Sequence, residues 1–211
     1  RENAMILIGM YDSPFVRRVA IAMKLYKMEF EHKSWSTFGD AEKIVAYNPL
    51  IRVPTLMLDG GEVLIESAAI LDALDDMVGP QRAMTPTDGA ARRAALKLCA
   101  LASGMADKAV SLVYERHVHN RPNPKWIQRC TGQISRVLNV LEVERAGQHT
   151  PYWFGEHMAH GDIMVSCAVN FMRDALADDI DLSPWKALSE HTDKCEGLPE
   201  FREAFMKFKI G

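Results

Sequence analysis

Strand signals stop early in this chain, and that asymmetry limits the folds open to it more than any other feature. From Met5 to Val78 short apolar runs alternate with helical patterns; from Ala90 onward only helical spacing remains. Alternating elements followed by helices alone call for two layers of different class, a small α/β unit and then an all-helical one. Met5–Ile8, apolar and followed by Gly9, reads as a buried strand. Pro14 opens a helix in which Val16, Val19, Ala20 and Met23 recur at helical spacing, with Arg17, Arg18 and Lys24 off that face. Glu29–Lys33, around Phe30, gives a second strand, and strand, helix and strand in so short a span predict a right-handed parallel unit.

Ala41–Tyr47 fits a short helix, stopped by Asn48-Pro49. Thr55–Leu58 and Val63–Ile65 are predicted strands joined by Asp59-Gly60-Gly61, a hairpin signal because glycine takes positive φ without strain. Ser67 starts a helix with Ile70, Leu71, Leu74 and Met77 inward, and Gly79-Pro80 ends it. Further helices are expected over Ala90–His119, Trp126–Arg145 and Gly161–Ala177, with two shorter ones near Trp185 and Phe201. The expected organisation is an α/β domain over residues 5–79, a linker over 80–89 and an all-helical domain over 90–211, with Arg1–Ala4 as extraneous residues ahead of a start at Met5.

The 211 residues are enough for one large or two small domains with a sizeable core. A formal charge of −3 gives no reason to expect nucleic acid or an anionic membrane as partner. No apolar run approaches the roughly 20 residues that span a bilayer, and no charged-then-apolar leader is evident. Cys99, Cys130, Cys167 and Cys195 are widely spaced and form no paired framework, which points to a reducing cytoplasm. His117 with His119, and His157 with His160, stand in no carboxylate or cysteine pattern of a metal site, so no metal is expected.

Three short motifs could carry chemistry, and each has a plain structural alternative. Ser13-Pro14 is an ordinary helix start, serine as cap and proline at the first helical position. A helix N-terminus also favours negative charge, and a hydroxyl there can donate to an anion such as a thiolate. Val53-Pro54 is an X-Pro bond, the only kind that is often cis. In the cis form, backbone groups of Val53 turned outward could pair with an extended peptide; otherwise the proline merely opens a strand. Glu66-Ser67 joins a strand to a helix: the free amides can take a carboxylate and Glu66 an ammonium, or the pair is a cap beside a solvated glutamate.

In their joint order these motifs, within SPFVRRVAIAM and NPLIRVPTLMLDGGEVLIESAAILDAL, resemble the glutathione transferase family, specifically members with a serine at the thiol site, including plant tau-type and bacterial ones. The stretch YWFGEHMAHGDIMVSCAVNFM is similar to the family's buried helix and its capping segment, so the likeness runs from Met5 to about Phe208. It implies an N-terminal thioredoxin-like domain that binds glutathione, followed by a C-terminal helical bundle. The implied activity joins the glutathione thiolate to a small electrophile, in the manner of detoxifying enzymes; the alternative is a non-catalytic glutathione-binding or interaction module of the same fold. Glutathione is then a co-substrate, and a cytoplasmic homodimer is the implied assembly.

By this resemblance Ser13 is the activating serine and Phe15 follows it at the helix start. Arg52 stands where a basic residue reaches the glycine carboxylate, Val53 pairs with the cysteinyl backbone, Pro54 is the cis-proline, and Glu66 with Ser67 grips the γ-glutamyl group. An acceptor pocket is expected near Tyr11, Phe38, Met105 and Tyr114. Ala159 departs from the family, which has Ser or Thr three residues before the aspartate matched by Asp162, so the reciprocal capping box is expected to be lost. The cysteines at the helix start of zeta-type and omega-type members are absent, and Tyr11 is a neighbouring hydroxyl able to replace Ser13.

Overall fold

Four short strands make one sheet in the order β2-β1-β3-β4, with β1 Met5–Ile8, β2 Phe30–Lys33, β3 Thr55–Met57 and β4 Val63–Ile65. The coordinates are a computed structural model that describes residues 5–209; Arg1–Ala4 and the last two residues of the 90–211 segment lie outside the described residues. β1 runs parallel to β2, as the strand–helix–strand spacing predicts, and β3 is antiparallel to both β1 and β4. Helices α1 Pro14–Leu25, α2 Ala41–Ile44 and α3 Ser67–Val78 complete a βαβαββα order. The chain forms two compact units: one runs to Thr87 and takes back Pro199–Lys209, and the other is Asp88–Leu198.

In the first unit, the core is built from Leu7, Ile8, Val16, Val19, Met23, Leu56, Ile70 and Leu74, all without exposed surface. α1 is buried on nearly every side, which its charge pattern does not suggest. Arg17 and Arg18 lie off the apolar face yet are each 3 % exposed. Arg17 survives burial because its Nε and Nη2 donate to the carbonyls of Ala204 and Phe201, each at 2.9 Å, from the returning helix α8 Pro199–Glu203 and its end. Met77 was expected inward and is 48 % exposed. The buried position in that last turn of α3 belongs to Asp75, which accepts from the Tyr26 hydroxyl and from the amides of Met84 and Thr85.

The second unit comprises α4 Gly89–His117, α5 Pro124–Ala146, α6 His160–Ala175 and α7 Lys186–Glu196. α4 packs on α5 and α6, and α7 on α5 and α6. Gly161 permits the α4–α6 approach: a Cβ there would stand 2.9 Å from Leu98 Cγ and closer still to Cδ2. At the start of α6, Asp162 is fully buried and accepts from the amides of Trp153 at 2.8 Å and Ala159 at 2.9 Å. Ala159 has no side-chain acceptor to return, so half of the reciprocal box survives. α5 starts at Pro124 because Asn123 Oδ1 accepts from the amides of Lys125 and Trp126. Cys130, Cys167 and Cys195 are buried, Cys99 is half-buried, and none of the four is in a disulfide. Among the described residues no helix is long and apolar enough to cross a membrane, and no group of three or more His, Cys, Asp or Glu could hold a metal ion.

Candidate functional site

Strand register alone brings the motifs of the first unit together. Ile8, the last residue of β1, pairs with Thr55, the first of β3, and Thr55 pairs with Ile65, the last of β4. The segments that follow β1, precede β3 and follow β4 therefore meet at one end of the sheet. They carry Ser13, Val53-Pro54 and Glu66-Ser67. Segments more than fifty residues apart in sequence come to one end of the sheet because two antiparallel ladders align these strand ends.

Ser13 caps α1. Its backbone is extended, and Oγ accepts from the Val16 amide at 3.4 Å. The Arg17 amide bonds the Ser13 carbonyl at 2.9 Å, and Pro14 has no amide proton. In this first turn the Phe15 N–H bonds to no described residue. The Ser13 hydroxyl accepts one hydrogen bond and keeps its proton. The start of α1 thus holds two unspent donors, one hydroxyl and one amide.

The Val53–Pro54 bond is cis, and neither the N–H nor the C=O of Val53 bonds to a described residue. Asn48, 1 % exposed, builds the turn that leads there. Its Nδ2 donates to Arg52 O at 2.9 Å and Thr55 Oγ1 at 3.1 Å, and its Oδ1 accepts from the Leu50 amide.

Glu66 has φ 67°, a left-handed conformation that costs a non-glycine residue about 1–3 kcal/mol and collects at functional sites. No side chain caps α3, so its first amides stay open. Ser67 is buried, and its Oγ accepts from Arg18 Nη2 at 2.6 Å. A hydroxyl that accepts from a guanidinium retains its own proton for a carboxylate. Sequence reasoning missed Arg18; its spacing from the apolar face gave no sign of a buried partner. Arg52 and Glu66, assigned by resemblance to opposite ends of the tripeptide, pair with each other at 3.0 Å, both well exposed.

Tyr11 stacks on His32 with ring centroids 3.8 Å apart and planes within 2°. Burial, and then the charge of Glu203, push its phenol up to about 12. Phe38 is exposed in the same unit; Met105 and Tyr114 lie on α4.

Residues 7–82 match the family profile described as Glutathione S-transferase, N-terminal domain, and residues 124–194 match that of Glutathione S-transferase, C-terminal domain. The uncharacterized GST-like protein YibF of Escherichia coli K12 is 31 % identical over 140 residues, covering 65 % of this chain and 68 % of that one. The chain belongs to the glutathione S-transferase family. A glutathione S-transferase from Methylobacterium radiotolerans JCM 2831, in complex with glutathione sulfonate, is similar with a TM-score of 0.89 at 23 % identity, over 99 % of this chain and 97 % of that one. A glutathione transferase family member from Pseudomonas fluorescens Pf-5 with bound glutathione is similar with a TM-score of 0.81 at 27 % identity, over 95 % and 98 %. The βαβαββα unit is thus the thioredoxin-like domain of the glutathione S-transferase fold, followed by its all-helical domain.

Proposed function

We propose that this glutathione S-transferase binds glutathione across the sheet end and joins its thiolate to a small electrophilic molecule. The observation that carries the reading is the convergence of three open groups in one register: the Ser13 hydroxyl, the Val53 backbone, and Ser67 at the uncapped start of α3. Val53 takes the cysteinyl backbone as an added strand would. The Ser67 hydroxyl and the α3 amides take the γ-glutamyl carboxylate, with Arg18 holding Ser67 in place, and Glu66 takes the ammonium. Pro54 presents Val53. Arg52 takes the glycine carboxylate after leaving Glu66, which costs little because an exposed ion pair contributes about 0–1 kcal/mol.

The thiolate is the nucleophile, so the protein must hold sulfur as an anion. Lowering a thiol pKa by about two units requires roughly 2.7 kcal/mol in favour of the thiolate. One hydrogen bond to a charged group contributes about 1.5–3 kcal/mol, so the Ser13 hydroxyl supplies most of it. The open Phe15 amide and the α1 N-terminus add the rest. Holding both reactants together then replaces a bimolecular encounter.

The proposed organisation is a glutathione-binding domain over residues 5–79, a linker over 80–89 and a helical domain over 90–211, assembled as a homodimer in the cytoplasm, without metal, nucleic acid or membrane. The experiment is retention on immobilised glutathione followed by turnover with a general aryl halide. Retention with turnover supports the transferase. Retention without turnover supports the non-catalytic binding module, and failure of both overturns the glutathione reading.

A further inference from the structure

The loop from Gly9 to Ser13 decides where the Ser13 hydroxyl stands, and its first residue is held by β2 on both sides. The Gly9 amide donates to Lys33 O at 2.9 Å, and its carbonyl lies 2.7 Å from His32 Nε2. A carbonyl has no proton to give, so Nε2 carries the hydrogen and donates. Gly9 takes φ 130° and is wedged against two parts of the site: a Cβ there would meet Val53 Cβ at 2.8 Å and would also strike Val16. Val16 supplies the amide that Ser13 caps. The Ser13 amide closes the loop on Met10 O at 3.2 Å, and between them Tyr11 lies flat on the His32 ring.

We infer that His32 is a positioning residue for thiol activation, because its ring fixes the Gly9–Ser13 loop by one hydrogen bond and one stack and so sets the Ser13 hydroxyl relative to the Val53 backbone. The inference rests on the reading of Ser13 as thiolate donor. His32 touches neither end of the proposed ligand. It holds Gly9, and Gly9 separates Val16 from Val53. Loss of the bond lets the carbonyl and the turn behind it shift. A hydrogen bond to sulfur weakens with a shift that leaves the chain folded, and misplacement by about 1 Å can cost up to 10²-fold in rate. Two contacts of different kind make the idea divisible. His32→Phe keeps a ring against Tyr11 and drops the donor. His32→Gln keeps an amide donor close to the place of Nε2 and drops the ring.

The test titrates bound glutathione by thiolate absorbance in wild type, Ser13→Ala, His32→Phe, His32→Gln and the double variant Ser13→Ala/His32→Phe. His32→Phe is expected to raise the bound thiol pKa by about 0.5–1 unit and lower kcat about three- to tenfold at pH 6.5, with KM for glutathione changed less than about twofold. His32→Gln recovers most of both. Adding His32→Phe to Ser13→Ala gives no further shift, because the two changes remove one interaction. If Ser13→Ala shifts the curve and His32→Phe does not, His32 is only structural and this inference falls while the Ser13 reading stands. If Ser13→Ala leaves the curve in place, the Ser13 reading falls, and this one with it. An additive shift in the double variant overturns the route through Ser13. Should His32→Phe fail to fold, His32→Asn replaces it, since its shorter amide does not reach Gly9 O; coincidence of its curve with that of wild type overturns the inference.

Discussion

Ser13→Ala separates the two roles assigned to one hydroxyl. As a cap, Ser13 accepts from the Val16 amide at 3.4 Å, a long bond, so its loss should cost about 0.5 kcal/mol, the low end for helix caps. As a donor, it offers its only proton to sulfur, and that bond exists in the thiolate form alone. A lost charged hydrogen bond of about 1.5–3 kcal/mol, at 1.36 kcal/mol per unit, raises the pKa of the bound thiol by about one to two units. Affinity for glutathione measured well below that pKa should stay within about twofold, because neutral glutathione never used the bond. The assay is ultraviolet thiolate absorbance of the complex against pH, with urea unfolding as the control for the cap. Coincident titration curves in a variant that is merely less stable would refute the reasoning and leave Ser13 a cap. Tyr11→Phe would then be titrated next.

Glu66→Ala should weaken glutathione binding by about 1–3 kcal/mol by calorimetry while thermal stability barely moves, because the ion pair it breaks with Arg52 is exposed; unchanged affinity removes Glu66 from the grip. His191, fully buried with Nε2 3.4 Å from Asp162 Oδ1, is pushed down from 6.5 to about 4, first by burial and then by the charge of Arg145. Its native pKa is depressed, so the unfolded chain binds more protons between pH 6.5 and 4, and native stability falls with pH across that window by up to about 3 kcal/mol from this group. Burial raises the neighbouring Asp162, whose contribution runs the opposite way, so the share of His191 is read as a difference. His191→Gln should lose stability less steeply from pH 6.5 to 4 in urea titrations, and equal slopes count against the assignment. Gly161→Ala should destabilise by about 1–3 kcal/mol, since a Cβ there meets Leu98 in the α4–α6 contact; an unchanged urea midpoint would show that Leu98 moves aside freely.

Local physics wrote the elements into the sequence. Helical spacing in 14–25, the Asp59-Gly60-Gly61 turn and the loss of strand signal after residue 65 needed only near neighbours to act, and the structure follows them to within a few residues. Ser13 as a cap is local too, since its partner is three residues away. What the sequence left open depended on partners far along the chain. Arg17 and Arg18 look like the polar side of a helix until residues 201 and 204, and separately Ser67, come to meet them. Met77 gave up an inward place to Asp75 because the Tyr26 hydroxyl and the amides of Met84 and Thr85 made a buried carboxylate tolerable. His32 carried no signal, being one histidine in a short edge strand, and acquired its role only when β2 paired beside Gly9. Periodicity reports which way a residue faces on its own element. Whether a polar group on that face can be buried, and whether three motifs share one end of a sheet, depends on register and long-range partners, which only the folded chain supplies.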